Sequence, residues 1–176
     1  MEEIKSYCDA VLNPKFFKSE SDWLLHKNYH DKEYGFPIDD DNDLFERLIL
    51  EINQAGLSWN LILRKREGFK NAYDQFDIKK VVAYEDADRI CLLGDERIIR
   101  NRLKINASIE NARAILELQK EHGSFKAWLD KNHPKEKLEW VKLFKKTFKF
   151  TGGEIVMSTG LPFFLKQLLT EIGCYN

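Results

Sequence analysis

Apolar side chains recur at helical spacing along most of the chain, and this pattern limits the fold more than any other feature of the sequence. Residues three or four positions apart lie on one face of an α-helix. No alternating apolar and polar run bounded by turn residues predicts a strand. The sequence therefore predicts an all-α protein. Its three main stripes are Leu44, Leu48, Ile52 and Ala55; Ile105, Ile109, Ala112 and Leu116; and Leu138, Val141, Phe144 and Phe148.

The chain has the length and composition of one domain spanning residues 1–176. Of its 176 residues, 43% are apolar, enough for a core that needs no metal or disulfide. No repeat or linker divides it, and residues 1–42 and 150–176 are expected to pack together as a terminal subregion. Asp43, with Glu46 three residues later, predicts the start of a helix of about 13 residues that ends at Gly56. Gly123 predicts a helix end, and Ser124 the cap of the next helix.

The net charge of −1 hides an uneven distribution of charge. Residues 1–60 hold 6 basic and 13 acidic side chains, whereas residues 61–150 hold 21 basic and 14 acidic ones. A basic middle is compatible with an anionic partner even though the whole chain is nearly neutral. No apolar stretch reaches the roughly 20 residues of a membrane span, and the N-terminus lacks a signal-peptide pattern. We therefore expect a cytoplasmic protein with no membrane partner.

Four side chains are candidates for a binding site in the N-terminal part of the chain. Glu51 shares the apolar stripe of Leu44 and Leu48, so its carboxylate should face the interior, where desolvation raises its pKa. This position suits either a functional carboxylate or a structural one bonded to its neighbours. Trp59 follows a predicted helix corner and is compatible with a core role. Tyr29 and Tyr34 flank a polar loop that no packing rule demands.

Basic residues also cluster at a predicted turn between two helices, at residues 97–104. Backbone N–H groups at a helix start, with cationic side chains beside them, suit a phosphate group. An ordinary turn of a helical bundle remains the alternative. The basic residues of this turn are Arg97, Arg100, Arg102 and Lys104.

Three stretches carry a resemblance to a known family. The segments at 29–35 (YHDKEYG), 44–59 (LFERLILEINQAGLSW) and 98–105 (IIRNRLKI) resemble the DNA-3-methyladenine glycosylase I family of the helix–hairpin–helix superfamily. The likeness extends from about residue 22 to residue 153 and keeps the order and spacing of the motifs. It implies an all-α, helix–hairpin–helix glycosylase-like bundle.

The resemblance also implies an activity and a role for each candidate. The protein would excise 3-methyladenine from alkylated double-stranded DNA by hydrolysing the N-glycosidic bond, the first step of base-excision repair, without a cofactor for the chemistry. We expect a monomer, although no sequence feature determines the oligomeric state. Glu51 corresponds to the family's pocket carboxylate, which either recognises the extruded base or also orients water. Tyr29 and Trp59 correspond to its pocket aromatics, and Tyr34 stands where many relatives carry Trp. The basic turn would hold the DNA backbone.

The chain departs from the family at its metal site. Members usually bind a structural zinc through two cysteines and two histidines, a set that suits tetrahedral zinc. Here Cys8, His30 and Cys174 are the candidate ligands, but the fourth ligand is missing because no His follows His133. Because the C-terminus also diverges, two alternatives stay open: a glycosylase-like protein that binds damaged DNA with little or no catalysis, and a helical interaction module in which Glu51 is structural.

Overall fold

The computed structural model describes residues 6–151, apart from the side chain of Lys137. This part of the chain is helical and contains no strand. Two short 3₁₀ turns, Pro14–Phe16 and Asp74–Phe76, complete the set of regular elements. In chain order the α-helices are α1 (Tyr7–Leu12), α2 (Glu20–Lys32), α3 (Asp41–Gln54), α4 (Trp59–Ala72), α5 (Ile78–Val82), α6 (Asp86–Gly94), α7 (Arg102–His122), α8 (Phe125–Asn132) and α9 (Lys137–Thr147). The predicted all-α class is confirmed.

Helix α3 is the centre of the bundle. Every residue from Leu44 to Gln54 is buried, because α4, α7, α8 and the Asp74–Phe76 turn pack around it and Tyr29 of α2 contacts Arg47. A helix that is covered on all sides carries its polar residues into the interior along with its apolar ones. This burial places Glu51 inside the protein.

The start of α3 differs from the prediction. Asp40, not Asp43, is the N-cap, and its carboxylate accepts hydrogen bonds from the backbone N–H groups of Asn42 and Asp43. The run of acidic residues at 39–41 offered several caps, and local sequence does not choose among them. The carboxylate of Asp41 accepts hydrogen bonds from the backbone N–H groups of Phe125 and Lys126. This contact fixes the start of α3 against the start of α8.

The other helix boundaries follow the sequence signals closely. Gly123 ends α7 with a φ of 88°, and the side chain of Ser124 caps α8 by accepting from the N–H of Ala127.

The predicted apolar stripe of α9 is only partly buried: Val141 and Phe144 are buried, but Leu138 is 63% exposed. Leu138 lies in the first turn of α9, and Trp140 is buried there instead.

Helix α4 and the segment between α6 and α7 approach each other at Gly68. A Cβ atom at position 68 would lie 2.5 Å from the backbone oxygen of Arg97, far inside van der Waals contact. Ile98 is buried next to this contact and anchors the segment to the core. The turn that carries the predicted phosphate-binding residues is therefore held against α4.

Candidate active site

Glu51 is a carboxylate buried without a hydrogen-bond partner among residues 6–151. Only 3% of the residue is exposed. Burial raises its pKa to about 7, and the positive charge of Arg47 limits the rise. Because a buried polar group is normally hydrogen-bonded, an unpartnered carboxylate suggests a place where a ligand completes the set of contacts. At neutral pH such a group is poised between its charged and neutral forms.

A second unpartnered polar atom lies one helical turn further along α3. Gln54 is buried, and its Oε1 atom has no hydrogen-bond partner within the described part of the chain. Residues at i and i+3 are neighbours on a helix surface. Glu51 and Gln54 therefore give this surface of α3 two hydrogen-bond acceptors that residues 6–151 leave unused.

Aromatic side chains from α2 and α4 meet beside α3. The ring centroids of Tyr29 and Trp59 are 5.5 Å apart, with their planes at 63°. Tyr34 follows α2, and its ring centroid lies 6.4 Å from that of Tyr29. Tyr29 is only 2% exposed, whereas Trp59 and Tyr34 are half-buried. The structure thus brings the three predicted aromatic residues together, with Tyr29 innermost.

Arg47 joins this cluster, and sequence reasoning missed it. Its Cζ atom lies 4.8 Å from the ring centroid of Tyr29 and 5.8 Å from that of Trp59. Nη1 donates to the hydroxyl of Tyr29 at 2.5 Å, and Nη2 donates to the carboxylate of Glu33 at 3.3 Å. Arg47 precedes Glu51 by four residues, the spacing at which opposite charges meet on a helix. This Arg-x-x-x-Glu pair was the signal available in the sequence.

Behind Arg47, a chain of ion pairs runs away from the aromatic rings. The carboxylate of Glu33 also accepts from Arg66, whose Nε donates to Glu46 at 2.6 Å. Lys70 lies 3.7 Å from the other oxygen of Glu46. A cleft of about 290 Å³ lies along these side chains. Arg47 is the member of the chain that contacts the aromatic site.

The predicted basic turn forms a hairpin, residues 95–101, between α6 and α7. The side chain of Asn101 caps α7, and Nζ of Lys65 donates to the backbone oxygen of Glu96 at 2.7 Å. Arg97 makes a two-pronged contact with Asp95, at 2.9 and 2.8 Å. The side chains of Arg97 and Arg100 are 61% and 52% exposed, and Arg102 is exposed as well. These three guanidinium groups are accessible to an anion.

Lys104 is placed differently from the other basic residues of the hairpin segment. It is only 5% exposed, and its Nζ donates to the backbone oxygens of Asn53 and Ala55, at 2.9 and 2.8 Å. These carbonyls belong to the C-terminal end of α3, which favours a cation. The expectation that Lys104 contacts a phosphate does not agree with this geometry: the side chain lies on the inner face of α7 and fixes α3 to α7.

Substitution separates the two kinds of basic residue. We expect Lys104→Met to lower the free energy of unfolding by about 1–3 kcal/mol, since it leaves buried carbonyls unpaired. The salt dependence of its binding to duplex DNA, the partner that the resemblance implies, should match the wild type. Arg100→Gln should leave stability unchanged and reduce the slope of log affinity against log salt concentration by about one. Denaturant unfolding measures the stability of both variants, and DNA titrations over a range of salt concentrations measure the slope. A reduced slope in Lys104→Met, or a loss of stability in Arg100→Gln, would contradict these assignments.

Two of the three candidate metal ligands, Cys8 and His30, lie within residues 6–151. His30 is the more informative: its Nδ1 lies 2.9 Å from the carboxylate of Asp31, and its buried Nε2 has no partner within residues 6–151. The sulfur of Cys8 is in a disulfide bond, and Cys174 lies outside the described residues. No three His, Cys, Asp or Glu side chains of the described part converge on one metal position.

The architecture defines the class to which the chain belongs. An all-α bundle with a buried carboxylate, a cluster of aromatic rings and a basic hairpin between two helices is a DNA glycosylase-like fold of the helix–hairpin–helix type. None of the helices in residues 6–151 has the length and apolar character needed to cross a bilayer.

Within that class, the chain belongs to the methyladenine glycosylase family, whose profile matches residues 20–148. It is 44% identical over 111 residues to DNA-3-methyladenine glycosylase 1 of Escherichia coli and 40% identical over 111 residues to DNA-3-methyladenine glycosylase of Haemophilus influenzae. Each match covers 62% of this chain. The chain spans about three fifths of the length of these curated relatives, 59% and 60% respectively.

Solved structures of the same family share the fold. One is a variant of 3-methyladenine DNA glycosylase I in complex with 3-methyladenine; it matches with a TM-score of 0.72 at 28% identity and covers 88% of each chain. Another, from Staphylococcus aureus, concerns 3-methyladenine recognition and matches with a TM-score of 0.71 at 27% identity, over 89% of this chain and 88% of that one.

Proposed function

We propose that this protein excises 3-methyladenine from alkylated double-stranded DNA by hydrolysing the N-glycosidic bond, the opening step of base-excision repair. Membership of the methyladenine glycosylase family supports this activity, as do the names of the relatives. The observation that carries the proposal is the buried carboxylate of Glu51, which has no hydrogen-bond partner among residues 6–151 and interacts with Arg47, the residue that contacts the rings of Tyr29 and Trp59. No cofactor takes part in the chemistry.

The site suits the chemistry of a methylated purine. Methylation at N3 gives the base in DNA a positive charge and makes it a good leaving group, so the enzyme has chiefly to select the base and hold it out of the duplex. Enzymes reach such a base by extruding it into a pocket. Glu51 in its ionised form accepts a hydrogen bond from the base and stabilises its charge, while Trp59 and Tyr34 offer ring surfaces for stacking, worth about 1–3 kcal/mol per base.

The hairpin holds the DNA backbone in this proposal. Arg97, Arg100 and Arg102 are exposed and follow one another around the start of α7. Contacts with phosphates position a duplex without reading its sequence, and they weaken steeply as salt rises. One copy of the chain supplies both the hairpin and the base site, so we propose that it acts as a monomer.

The assay that tests the proposal is release of 3-methyladenine from methylated duplex DNA, with unmethylated DNA as the control. We expect release that depends on methylation and is lost at high salt. Absence of release under conditions in which the protein binds the methylated duplex would overturn the proposed enzyme.

That negative outcome would favour the alternative, a glycosylase-like protein that binds damaged DNA with little or no catalysis. The burial of Tyr29 supports this alternative: the residue is 2% exposed, and Arg47 and Trp59 cover it. A base can stack on Tyr29 only if one of these side chains moves. The release assay therefore decides between the two functions directly.

We also propose that His30, Cys8 and Cys174 bind a structural zinc when the cysteines are reduced. The unpartnered Nε2 of His30, with Asp31 beside its other nitrogen, is typical of a zinc-binding imidazole. A disulfide sulfur is not a thiolate and cannot be such a ligand, so the disulfide of Cys8 and the zinc exclude each other. Zinc would contribute to the fold and not to the chemistry.

Metal analysis of two preparations tests the zinc site. Protein purified under reducing conditions without added zinc should contain about one zinc per chain, because a structural site retains its metal. Oxidised protein should contain none. A His30→Ala variant, which retains Cys8 and Cys174, is the matched control and should contain no zinc. A stoichiometry near zero in the reduced wild type would rule out the site.

A further inference from the structure

Tyr7 adds a further ring to the aromatic cluster of the candidate site. It lies in α1, ahead of the residues 20–148 that the family profile matches, so membership of the family assigns it no role. The centroid of its ring lies 4.9 Å from that of Tyr34 and 6.4 Å from that of Tyr29. Both of these residues belong to the base site of the proposed function. Tyr7 therefore reaches this site from a part of the chain outside the family match.

Helix α1 is packed on α2 in a way that fixes the position of Tyr7. Val11 of α1 is buried, and Nε1 of Trp23 donates to its backbone oxygen at 2.9 Å. At the other end of the side chain, the hydroxyl of Tyr7 lies 2.8 Å from Nδ1 of His26. Burial raises the pKa of Tyr7 and lowers that of His26, so both groups of this hydrogen bond are uncharged at neutral pH. The ring is thus held at its backbone and at its hydroxyl.

Tyr34 needs such support because it follows the end of α2 and lies outside a helix. Its backbone N–H donates to the oxygen of Tyr29 at 3.0 Å, but this bond does not set the direction of its ring. The ring packs against Tyr7 and stacks on His30, with the centroids of Tyr34 and His30 5.4 Å apart and their planes at 18°. Removing the ring of Tyr7 would leave a space beside Tyr34 into which its side chain can turn.

We propose that Tyr7 is a positioning residue of the base site, which holds the ring of Tyr34 in the orientation that stacks on the extruded base. The inference rests on the proposed function, in which Trp59 and Tyr34 offer the stacking surfaces. Tyr7 acts through Tyr34 and leaves the chemical step to Glu51. Its loss should therefore weaken binding of the base without slowing release at saturation.

Binding of the free base 3-methyladenine, measured by calorimetry, gives the first test. We expect Tyr7→Ala to raise the dissociation constant about fivefold, the effect of losing one aromatic pair. Tyr7→Phe keeps the ring and should stay within about twofold of the wild type. Phe16→Ala removes an exposed ring from the neighbouring 3₁₀ turn, so it is the matched control and should bind like the wild type. In single-turnover release, Tyr7→Ala should raise the half-saturating protein concentration and keep the maximal rate.

Fluorine NMR of protein labelled with 3-fluorotyrosine reports on Tyr34 directly. The Tyr34→Phe variant assigns its signal. We expect this signal to move in Tyr7→Ala and to stay in place in Phe16→Ala. In the wild type it should also move when 3-methyladenine is added, a result that does not depend on the folding of any variant.

Three results would each overturn the inference: a Tyr34 signal that Tyr7→Ala does not move, an unchanged dissociation constant in that variant, or a wild-type Tyr34 signal that 3-methyladenine does not move. Failure of the proposed function has a different signature. The wild type would then release no 3-methyladenine from methylated DNA, while the Tyr34 signal in Tyr7→Ala would still decide whether Tyr7 positions that ring.

Discussion

Glu51→Gln should lower kcat/KM for release of 3-methyladenine from methylated DNA by roughly a hundredfold. Glutamine keeps the shape of the side chain and one acceptor oxygen but loses the negative charge that, in the proposed function, stabilises the cationic base. A charge-assisted hydrogen bond in a site that excludes water contributes about 2–4 kcal/mol to transition-state stabilisation. The measurement is single-turnover release with excess protein, so that weak binding and slow chemistry are separated.

A matched control shows that the effect belongs to the site. Glu117→Gln changes an exposed glutamate on α7 that pairs with Lys120, so its rate should equal that of the wild type. A decrease of less than about threefold in Glu51→Gln would mean that the carboxylate is structural. Trp59→Ala should also reduce release, through loss of stacking on the base.

The same substitution should stabilise the fold above neutral pH. Burial raises the pKa of Glu51 from its ordinary value of 4.5 to about 7, so between these values the folded state binds more protons than the unfolded state. Stability contributed by this group is then fully present below about pH 4.5 and is lost as pH rises through about 7. Relative to Glu51→Gln, the wild type should lose up to about 3 kcal/mol over this window.

Denaturant unfolding of both proteins at pH 5 and pH 8 measures this effect. Other groups titrate in the same range, among them His26, whose pKa burial lowers. They are common to both proteins, so the difference between wild type and variant isolates Glu51. We expect Glu51→Gln to be the more stable protein at pH 8, with the gap narrowing at pH 5. Parallel stability curves would show that the carboxylate is solvated in the folded state.

These two predictions have one physical origin. A carboxylate held in the core without a hydrogen-bond partner is unfavourable for folding and useful for binding a cation. If both results are obtained, the protein keeps a destabilising residue because its function needs it. Loss of activity without a gain in stability at high pH would instead point to a carboxylate that is solvated or paired.

The sequence predicted the elements whose signals are local. Helical spacing located Glu51 on a buried face of α3, and the Gly123 and Ser124 signals located the junction of α7 and α8. The resemblance, and not the spacing, brought Tyr29 and Trp59 to the same site. Here the chain's own periodicity carries little information, because these residues lie on different helices.

The sequence did not predict which polar side chains become buried, because this depends on how the helices pack against one another. Lys104 belongs to the same basic cluster as Arg102, yet one turns inward to the carbonyls of α3 and the other is exposed. Arg47 lies off the main apolar stripe of α3 and becomes buried only because α2 and α4 cover that side. Its partner Glu33 is distant in sequence, and no local sequence pattern predicts that these two residues pair.

The proposed role of Glu51 requires a desolvated carboxylate that contacts the base. NMR titration of its side-chain carboxyl carbon, assigned by the signal missing in Glu51→Gln, tests this with and without saturating 3-methyladenine. We expect a midpoint near pH 7 in the free protein and a displaced midpoint in the presence of the base. A midpoint at the ordinary value of 4.5 that the base does not move would contradict it.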